Sequence, residues 1–462
     1  MFIYLKSNNY EEVKFGLFSL KEFFSKSDNL LIKENIDIIY NIFECMNKYI
    51  NDKIILYHGL WIISNYIFFS KNNETNNDIL TSKEFFNIYE YILSTNDTDL
   101  FCLILYLFHN ITSLENNEKK HNEVNYKILI SNLFKNRILK FLMEKEFMYH
   151  IDDDNGIYKD ILFQGFHFFS NLMATEKENI DNIQKLEIKQ IKQQMLKILL
   201  KFIDTKIEVI YEAILYNIII FYDYIDDQFP SKIISLKVIE KVLNNNNFHS
   251  NYPILILTNR VIGNFLSMND IFDLELIDKI FNFEFNILLN GKISEEKIDV
   301  FWTLGNLISC SDTMSDLLMK KENFIELIIK ILKEDYDKVE IRELLITLGK
   351  IISTVNFDNY VYLAKIGVFD ELICATLKFE KDEDLLPFIF QNLSFFIEKA
   401  ELIKHFTENK NIVLNKFNEK GGKELLMKYQ YSKNDLLRNV VEQIFNKFYQ
   451  NNNDNNFNIE IE

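Results

Sequence analysis

The residues in this sequence best suited to chemistry are aromatic and asparagine side chains spaced four positions apart. In each copy a large residue is followed four positions later by asparagine, often with a small residue directly before the asparagine, as in Trp61-Ile-Ile-Ser-Asn65 and Trp302-Thr-Leu-Gly-Asn306. On a helix, side chains four positions apart lie on the same face. Further copies end at Asn110, Asn171, Asn264 and Asn392, and a degenerate copy ends at Lys350.

A row of such pairs is suited to holding an extended peptide. Each amide offers a donor and an acceptor, and an extended backbone exposes its own polar groups at about 3.3 Å per residue. Indole rings pack against lysine or arginine stems and attract the cation. Asparagine on a repeat helix can also tie a neighbouring segment, and tryptophan on an apolar face is often core. The periodic repetition favours the peptide-binding interpretation.

The spacing of the copies indicates a repeat protein. Successive copies are separated by 45, 61, 93, 42, 44 and 42 residues. The longest gap accommodates two periods, with the missing copy at Leu215 and Ile219 or, in another register, at Asn217. A period of about 42 to 47 residues is typical of HEAT or armadillo units. Within one unit, 324–332 is predicted as a second helix and 339–353 as a long third helix, which favours the armadillo pattern.

Composition agrees with an all-α fold. Hydrophobic residues make up 48% of the 462 positions, which is enough for a large core, and only 3 Pro and 11 Gly occur. Hairpins and Gly-rich loops consume those residues, so few of either are expected. We therefore predict an all-α, right-handed armadillo-repeat solenoid of about ten repeats over residues 1–450. Residues 451–462 are predicted to be a disordered, Asn-rich and acidic tail.

Charge and motifs exclude several functional classes. The net charge of −17 disfavours nucleic acid and anionic membranes as partners and favours basic ones. The longest apolar run, 54–69, is shorter than the roughly 20 residues of a membrane span. No P-loop, GxSxG or HExxH motif occurs, and the four cysteines lack metal-ligand spacing. We expect no enzymatic activity, no cofactor and no metal, with reduced cysteines in the cytoplasm and nucleus.

The sequence resembles the importin-α family, armadillo-repeat adaptors that carry nuclear localisation signals. The resemblance covers roughly residues 7–450 at low identity, beginning with Ser7-Asn8-Asn9-Tyr10-Glu11-Glu12. It includes the family's repeat with Arg in place of Trp, seen here as Arg260-Val-Ile-Gly-Asn264. The resemblance implies a non-enzymatic adaptor that binds basic nuclear-localisation-type peptides in a concave groove for nuclear protein import. The alternative is a divergent armadillo scaffold for protein–protein interaction without import cargo.

The resemblance also implies two groups of peptide-binding residues. The C-terminal group, which matches the family's minor site, consists of Arg260, Asn264, Asp270, Asp299, Trp302, Asn306 and Glu343. The N-terminal group, which matches the major site, consists of Trp61, Asn65, Asn110, Asn171 and Glu212. Leu114 occupies the place of the family's lysine-selecting aspartate, so the dominant site is expected in the C-terminal group. Docking to importin-β is not expected, because no basic cluster precedes Ser7.

Overall fold

The structure is a computed structural model that describes most of the chain. The described residues are 2–26, 36–70, 82–95, 97–112, 156–174, 194–223, 232–245, 247, 250–267, 273–290, 294–311, 313–333, 337–407 and 412–450. Within these ranges the regular secondary structure is helical and contains no strand. The tail predicted at 451–462 lies outside the described residues.

The chain divides into two compact units, Met1–Ser231 with Asn244–Leu257, and Lys232–Leu243 with Thr258–Glu462. We label the helices whose two ends are both described. The first unit contains α1 (Phe2–Leu5), α2 (Tyr10–Lys26), α3 (Ile36–Lys48), α4 (Lys53–Ser70), α5 (Lys83–Thr95), α6 (Thr98–Thr112), α7 (Ile157–Ala174) and α8 (Glu208–Asp223). Residues 194–202 are also helical.

The second unit begins with α9 (Lys232–Asn244) and takes α10 (Tyr252–Ser267) from Thr258 onward. It continues with α11 (Leu274–Asn290), α12 (Ser294–Ser309), α13 (Met314–Leu318), α14 (Phe324–Lys333), α15 (Lys338–Thr354), α16 (Phe357–Lys365), α17 (Val368–Lys378), α18 (Leu386–Thr407), α19 (Ile412–Glu419), α20 (Gly422–Tyr429) and α21 (Asp435–Phe445). The second and third helices predicted at 324–332 and 339–353 are confirmed as α14 and α15.

Two kinds of helix account for the stacking. The helix α14 buries one apolar stripe that includes Phe324, Ile328 and Ile331 and exposes Lys330 and Lys333 on the other side, as expected of an outer helix. Third helices inside the stack, such as α4, α6 and α8, are apolar over most of their circumference. The third helices pack in succession, α2, α4, α6, α7 and α8 in the first unit and α12, α15, α18 and α21 in the second. Each repeat therefore depends on its neighbours for burial.

Local side chains set where several helices begin. The side chain of Asp337 accepts a hydrogen bond from the backbone N of Val339 at the start of α15. Asn356 accepts from the backbone N of Asn359 at the start of α16. Such caps satisfy backbone donors that the first helical turn leaves without a partner. Between α16 and α17, Gly367 has φ of 92°, a conformation that glycine adopts without steric cost.

The small residue before the repeated asparagine allows close packing of third helices. A Cβ placed on Gly263 would lie 2.2 Å from Cζ3 of Trp302 and 2.7 Å from Oγ1 of Thr303. The indole of Trp302 on α12 thus rests directly against the backbone of α10. At the equivalent Gly349, an added Cβ would lie 3.4 Å from Oδ1 of Asn392, which is ordinary contact.

These two glycines should respond oppositely to alanine. Gly263→Ala gains roughly 1 kcal/mol of helix propensity, but the forced shift of Trp302 costs about 1 to 3 kcal/mol, so we expect net destabilisation. Gly349→Ala has room for its methyl group and should be neutral or more stable. Urea denaturation of both variants measures the difference. Equal stability of the two variants would contradict the packing of Trp302 against Gly263.

Candidate peptide-binding site

Some of the repeated asparagines join consecutive third helices. Nδ2 of Asn110 on α6 donates to the backbone O of Ser64, at 3.1 Å, and to its Oγ, at 2.9 Å, on α4. Nδ2 of Asn306 on α12 donates to the backbone O of Gly263, at 3.1 Å, on α10. In both cases the acceptor residue immediately precedes the repeated asparagine of the previous repeat, which is Asn65 in the first case and Asn264 in the second. Each bond contributes about 0.5 to 1.5 kcal/mol to stability.

Lys350 explains the degenerate copy of the pattern. Its Nζ donates to the backbone O of Gly305 at 2.8 Å, which is the residue immediately before Asn306. The ammonium therefore supplies the same bond between neighbouring helices that an amide supplies elsewhere. Burial lowers the pKa of Lys350, and the nearby Glu343 carboxylate acts in the opposite direction.

Arg260 and Asp299 of the C-terminal group are bonded to each other. Nε of Arg260 on α10 lies 2.9 Å from Oδ2 of Asp299 on α12. The arginine is exposed, whereas the aspartate is buried. The pair joins two neighbouring third helices and satisfies the charge of Asp299 within the protein. Asp270, predicted in the same group, lies outside the described residues.

Three members of the C-terminal group make no side-chain hydrogen bond, ion pair or ring contact within the described part of the chain. Asn264 makes no side-chain hydrogen bond, Glu343 makes no ion pair, and no cation or second ring lies on the indole of Trp302. Trp302 and Glu343 are half-buried. Burial is the main cause that raises the pKa of Glu343, which the charge of Asp299 raises further and those of Arg342 and Lys350 oppose. Asn264 is buried, with 8% of its surface exposed, whereas Trp302 and Glu343 remain partly accessible to a ligand.

A neutral acid lies beneath this group. Glu284 on α11 is fully buried, and burial, followed by the charge of Asp299, raises its pKa well above the ordinary value. With its amide nitrogen turned towards the carboxyl group, Asn259 donates to the Glu284 oxygens at 3.0 and 3.2 Å. The protonated form of Glu284 is therefore favoured.

The N-terminal group is more fully engaged with the protein itself. Nζ of Lys21 lies 5.4 Å from the ring centroid of Trp61, and Nδ2 of Asn65 donates to the backbone O of Trp61 at 2.7 Å. Asn110 is buried and bonded to Ser64, as described above. Asn171 lies half-buried on α7, and Glu212 lies exposed on α8. Aromatic, amide and acidic residues thus occur here, but the indole and two of the amides have internal contacts.

Sequence reasoning missed an aromatic row on α6, α7 and α8. The rings of His109 and His167 stack with centroids 5.2 Å apart and an interplanar angle of 11°. Tyr216 continues the row at 6.5 Å from His167, whereas Leu215 and Asn217, the two candidate register positions, are both buried. Burial, then the charge of His109, lowers the pKa of His167 to about 4. The sequence signal for this row was that ring residues recur at the repeated pair positions, as at His167, or directly next to them, as at His109.

Comparison with known proteins identifies the fold and no family. No protein-family model matches the chain, and no curated protein matches it. Among solved structures, a chain from a study of a phosphorylation switch in the interaction between cadherin and beta-catenin is similar, with 10% identity and a TM-score of 0.56 over 98% of this chain and 90% of that chain. Importin beta is also similar, with 10% identity and a TM-score of 0.51 over 96% of this chain.

The likeness to these structures is one of fold. This chain has an all-α helical-repeat fold of the armadillo or HEAT kind. It spans about half the length of importin beta, covering 51% of that chain. At 10% identity the likeness carries no further conclusion about partners.

Among the residues that the structure describes, no group of three or more His, Cys, Asp or Glu side chains could hold a metal ion. No helix in the described ranges combines the length and the apolar character needed to cross a bilayer.

Stability should depend on pH through Glu284. Because its folded pKa lies above the ordinary value of 4.5, the folded state binds more protons than the unfolded state between those two pKa values. Stability should therefore fall as pH rises through that window, by up to about 1.4 kcal/mol per pH unit. Glu284→Gln should flatten this slope in urea denaturation between pH 5 and 8. Glu275→Gln, an exposed position on the same helix, should retain it. An unchanged slope in Glu284→Gln would contradict the assignment.

Proposed function

We propose that this chain is a non-enzymatic binding protein that takes a Lys/Arg-rich peptide in extended form on α10, α12 and α15, as an adaptor in nuclear protein import. The observation that carries the proposal is the coincidence of three unpartnered side chains. Trp302 offers a ring face and Glu343 a carboxylate, both partly exposed, and Asn264 offers an amide that is 8% exposed. Together these groups match the stem, the cation and the backbone of one basic residue in a peptide.

Charge supports a basic ligand. The whole chain has a net charge of −17, which favours approach of cationic segments. A cation–π contact at Trp302 is worth about 0.5 to 2 kcal/mol, and an exposed ion pair about 0 to 1 kcal/mol. Binding must therefore sum several weak contacts, and its affinity should decrease as salt is added.

The import role rests on the importin-α resemblance described above. That resemblance includes Arg260, which stands where the other repeats of the family have tryptophan. On this proposal the protein acts in the cytoplasm and nucleus.

A second candidate, an armadillo scaffold without import cargo, is favoured by a different observation. The amide nitrogens of Asn110 and Asn306 bond neighbouring helices, and that role suits packing in any scaffold. An import assay with a fluorescent basic cargo in permeabilised cells separates the two candidates.

The C-terminal site should dominate binding of a basic peptide. Trp302→Ala combined with Glu343→Gln removes a cation–π surface and a charge, and we expect about tenfold weaker binding, equivalent to about 1.4 kcal/mol. Asn306 is left intact because it joins two repeats. Isothermal titration with a Lys/Arg-rich peptide measures the change, and Trp61→Ala combined with Glu212→Gln is the matched control. A larger effect of the control pair, or equal binding of a peptide with glutamine at every basic position, would refute the site.

Peptide affinity should also depend on pH through Glu343. Only the ionised carboxylate attracts a cation, and burial raises its pKa. Binding should therefore weaken as pH falls from 8 to 5, beginning at higher pH than for an ordinary glutamate. Glu343→Gln should bind less tightly at neutral pH and should lose much of this dependence. Glu322→Gln, an exposed position in the same unit, should behave like the wild type.

A further inference from the structure

A lysine of the protein itself occupies the ring surface at Trp61. Tyr57 and Trp61 lie four positions apart on α4 and therefore share a helix face. Nζ of Lys21, which comes from the preceding third helix α2, lies 5.0 Å from the ring centroid of Tyr57 and 5.4 Å from that of Trp61. Both distances fall within the roughly 6 Å at which a cation is attracted to an aromatic face. The two rings thus form a slot that already holds an ammonium group.

The same arrangement recurs in the second unit. Cζ of Arg342 on α15 lies 5.3 Å from the ring centroid of Phe388 on α18. In both cases a basic side chain of one third helix covers the aromatic residue at the paired position of the next.

Trp302 lacks such a cover, and the basic residue of the preceding third helix, α10, has another partner. Arg260 is bonded to Asp299 at 2.9 Å. No cation lies on the Trp302 ring among the residues that the structure describes. The Trp302 ring thus differs from the rings of Trp61 and Phe388, which a basic side chain covers.

We propose that Lys21 is an internal competitor that fills the Tyr57–Trp61 slot and thereby directs basic peptides to Trp302. The effect on peptide binding rests on the proposed function. The position of Lys21 over the two rings can be measured without any ligand. An incoming lysine gains little at Trp61, because the contact it forms replaces one that Lys21 must give up. Lys21 is thus a determinant of which site accepts a peptide.

Nuclear magnetic resonance can detect the occupancy directly. The ε-methylene protons of a lysine held over aromatic rings are shifted upfield by the ring currents. In protein labelled at lysine, the Lys21 signal, assigned by its loss in Lys21→Gln, should lie upfield and should move to the ordinary lysine position in Trp61→Ala with Tyr57→Ala. An ordinary position in the wild type would overturn the proposal whether or not basic peptides bind at Trp302.

The consequence for binding is tested in a chain that lacks the C-terminal slot. In the Trp302→Ala background, Lys21→Gln should strengthen binding of a Lys/Arg-rich peptide by about 2- to 30-fold, the range expected from one cation–π contact. Lys14→Gln is the matched control. It removes the same charge from the same helix, but Nζ of Lys14 lies over Tyr10, at 5.8 Å.

The outcomes separate the two proposals. A gain in Lys21→Gln that exceeds the gain in Lys14→Gln supports the competitor role, even if the wild type binds no peptide at Trp302. Equal gains in the two variants, or no gain in either, would overturn it, while binding at Trp302 in the wild type would stand unaffected. Urea denaturation of each variant confirms that the compared proteins are equally folded.

Discussion

The close approach of successive third helices is the constraint on which the rest of this structure depends. Inner helices of the series, such as α4 and α6, are apolar over most of their surface and are buried by a neighbour on either side. Small residues such as Ser64 and Gly263 stand where the next helix comes nearest. Polar side chains of the next helix, such as Asn110 and Asn306, donate to the backbone oxygens of these same small residues. Packing and hydrogen bonding are thus provided by adjacent positions of one repeated pattern.

This constraint changes the meaning of the asparagine row. A side chain that bonds the neighbouring helix has less capacity left for a ligand, and Asn65, Asn110 and Asn306 each direct their amide nitrogen to a backbone oxygen of the protein. Asn264 does not. Residues that occupy equivalent repeat positions therefore differ: Asn110 and Asn306 bond the neighbouring helix, Asn65 bonds its own helix, and the buried Asn264 makes no side-chain hydrogen bond to another described residue.

Charges around the second unit follow a similar division. Arg260 takes up the charge of Asp299, and burial favours the neutral form of Glu284. Glu343 is left as a carboxylate without an ion pair in the described ranges, on the helix that follows Trp302. Basic residues are distributed in the same selective way, since Lys21 covers a ring and Arg260 does not. Charged side chains of successive repeats are therefore engaged with the protein to different degrees.

The sequence by itself determined the helical-repeat fold, because the 42 to 45 residue spacing of most copies and the scarcity of glycine and proline reflect local periodicity and turn chemistry. It also predicted α14 and α15 and identified Trp302 and Glu343 as residues of interest. Only the tertiary structure decided which side chains have partners. The deciding contacts join residues about 40 positions apart: Asn306 with Gly263, Arg260 with Asp299, and Lys21 with Trp61. Such contacts depend on how neighbouring helices are aligned, and a repeat period cannot specify that alignment for one side chain.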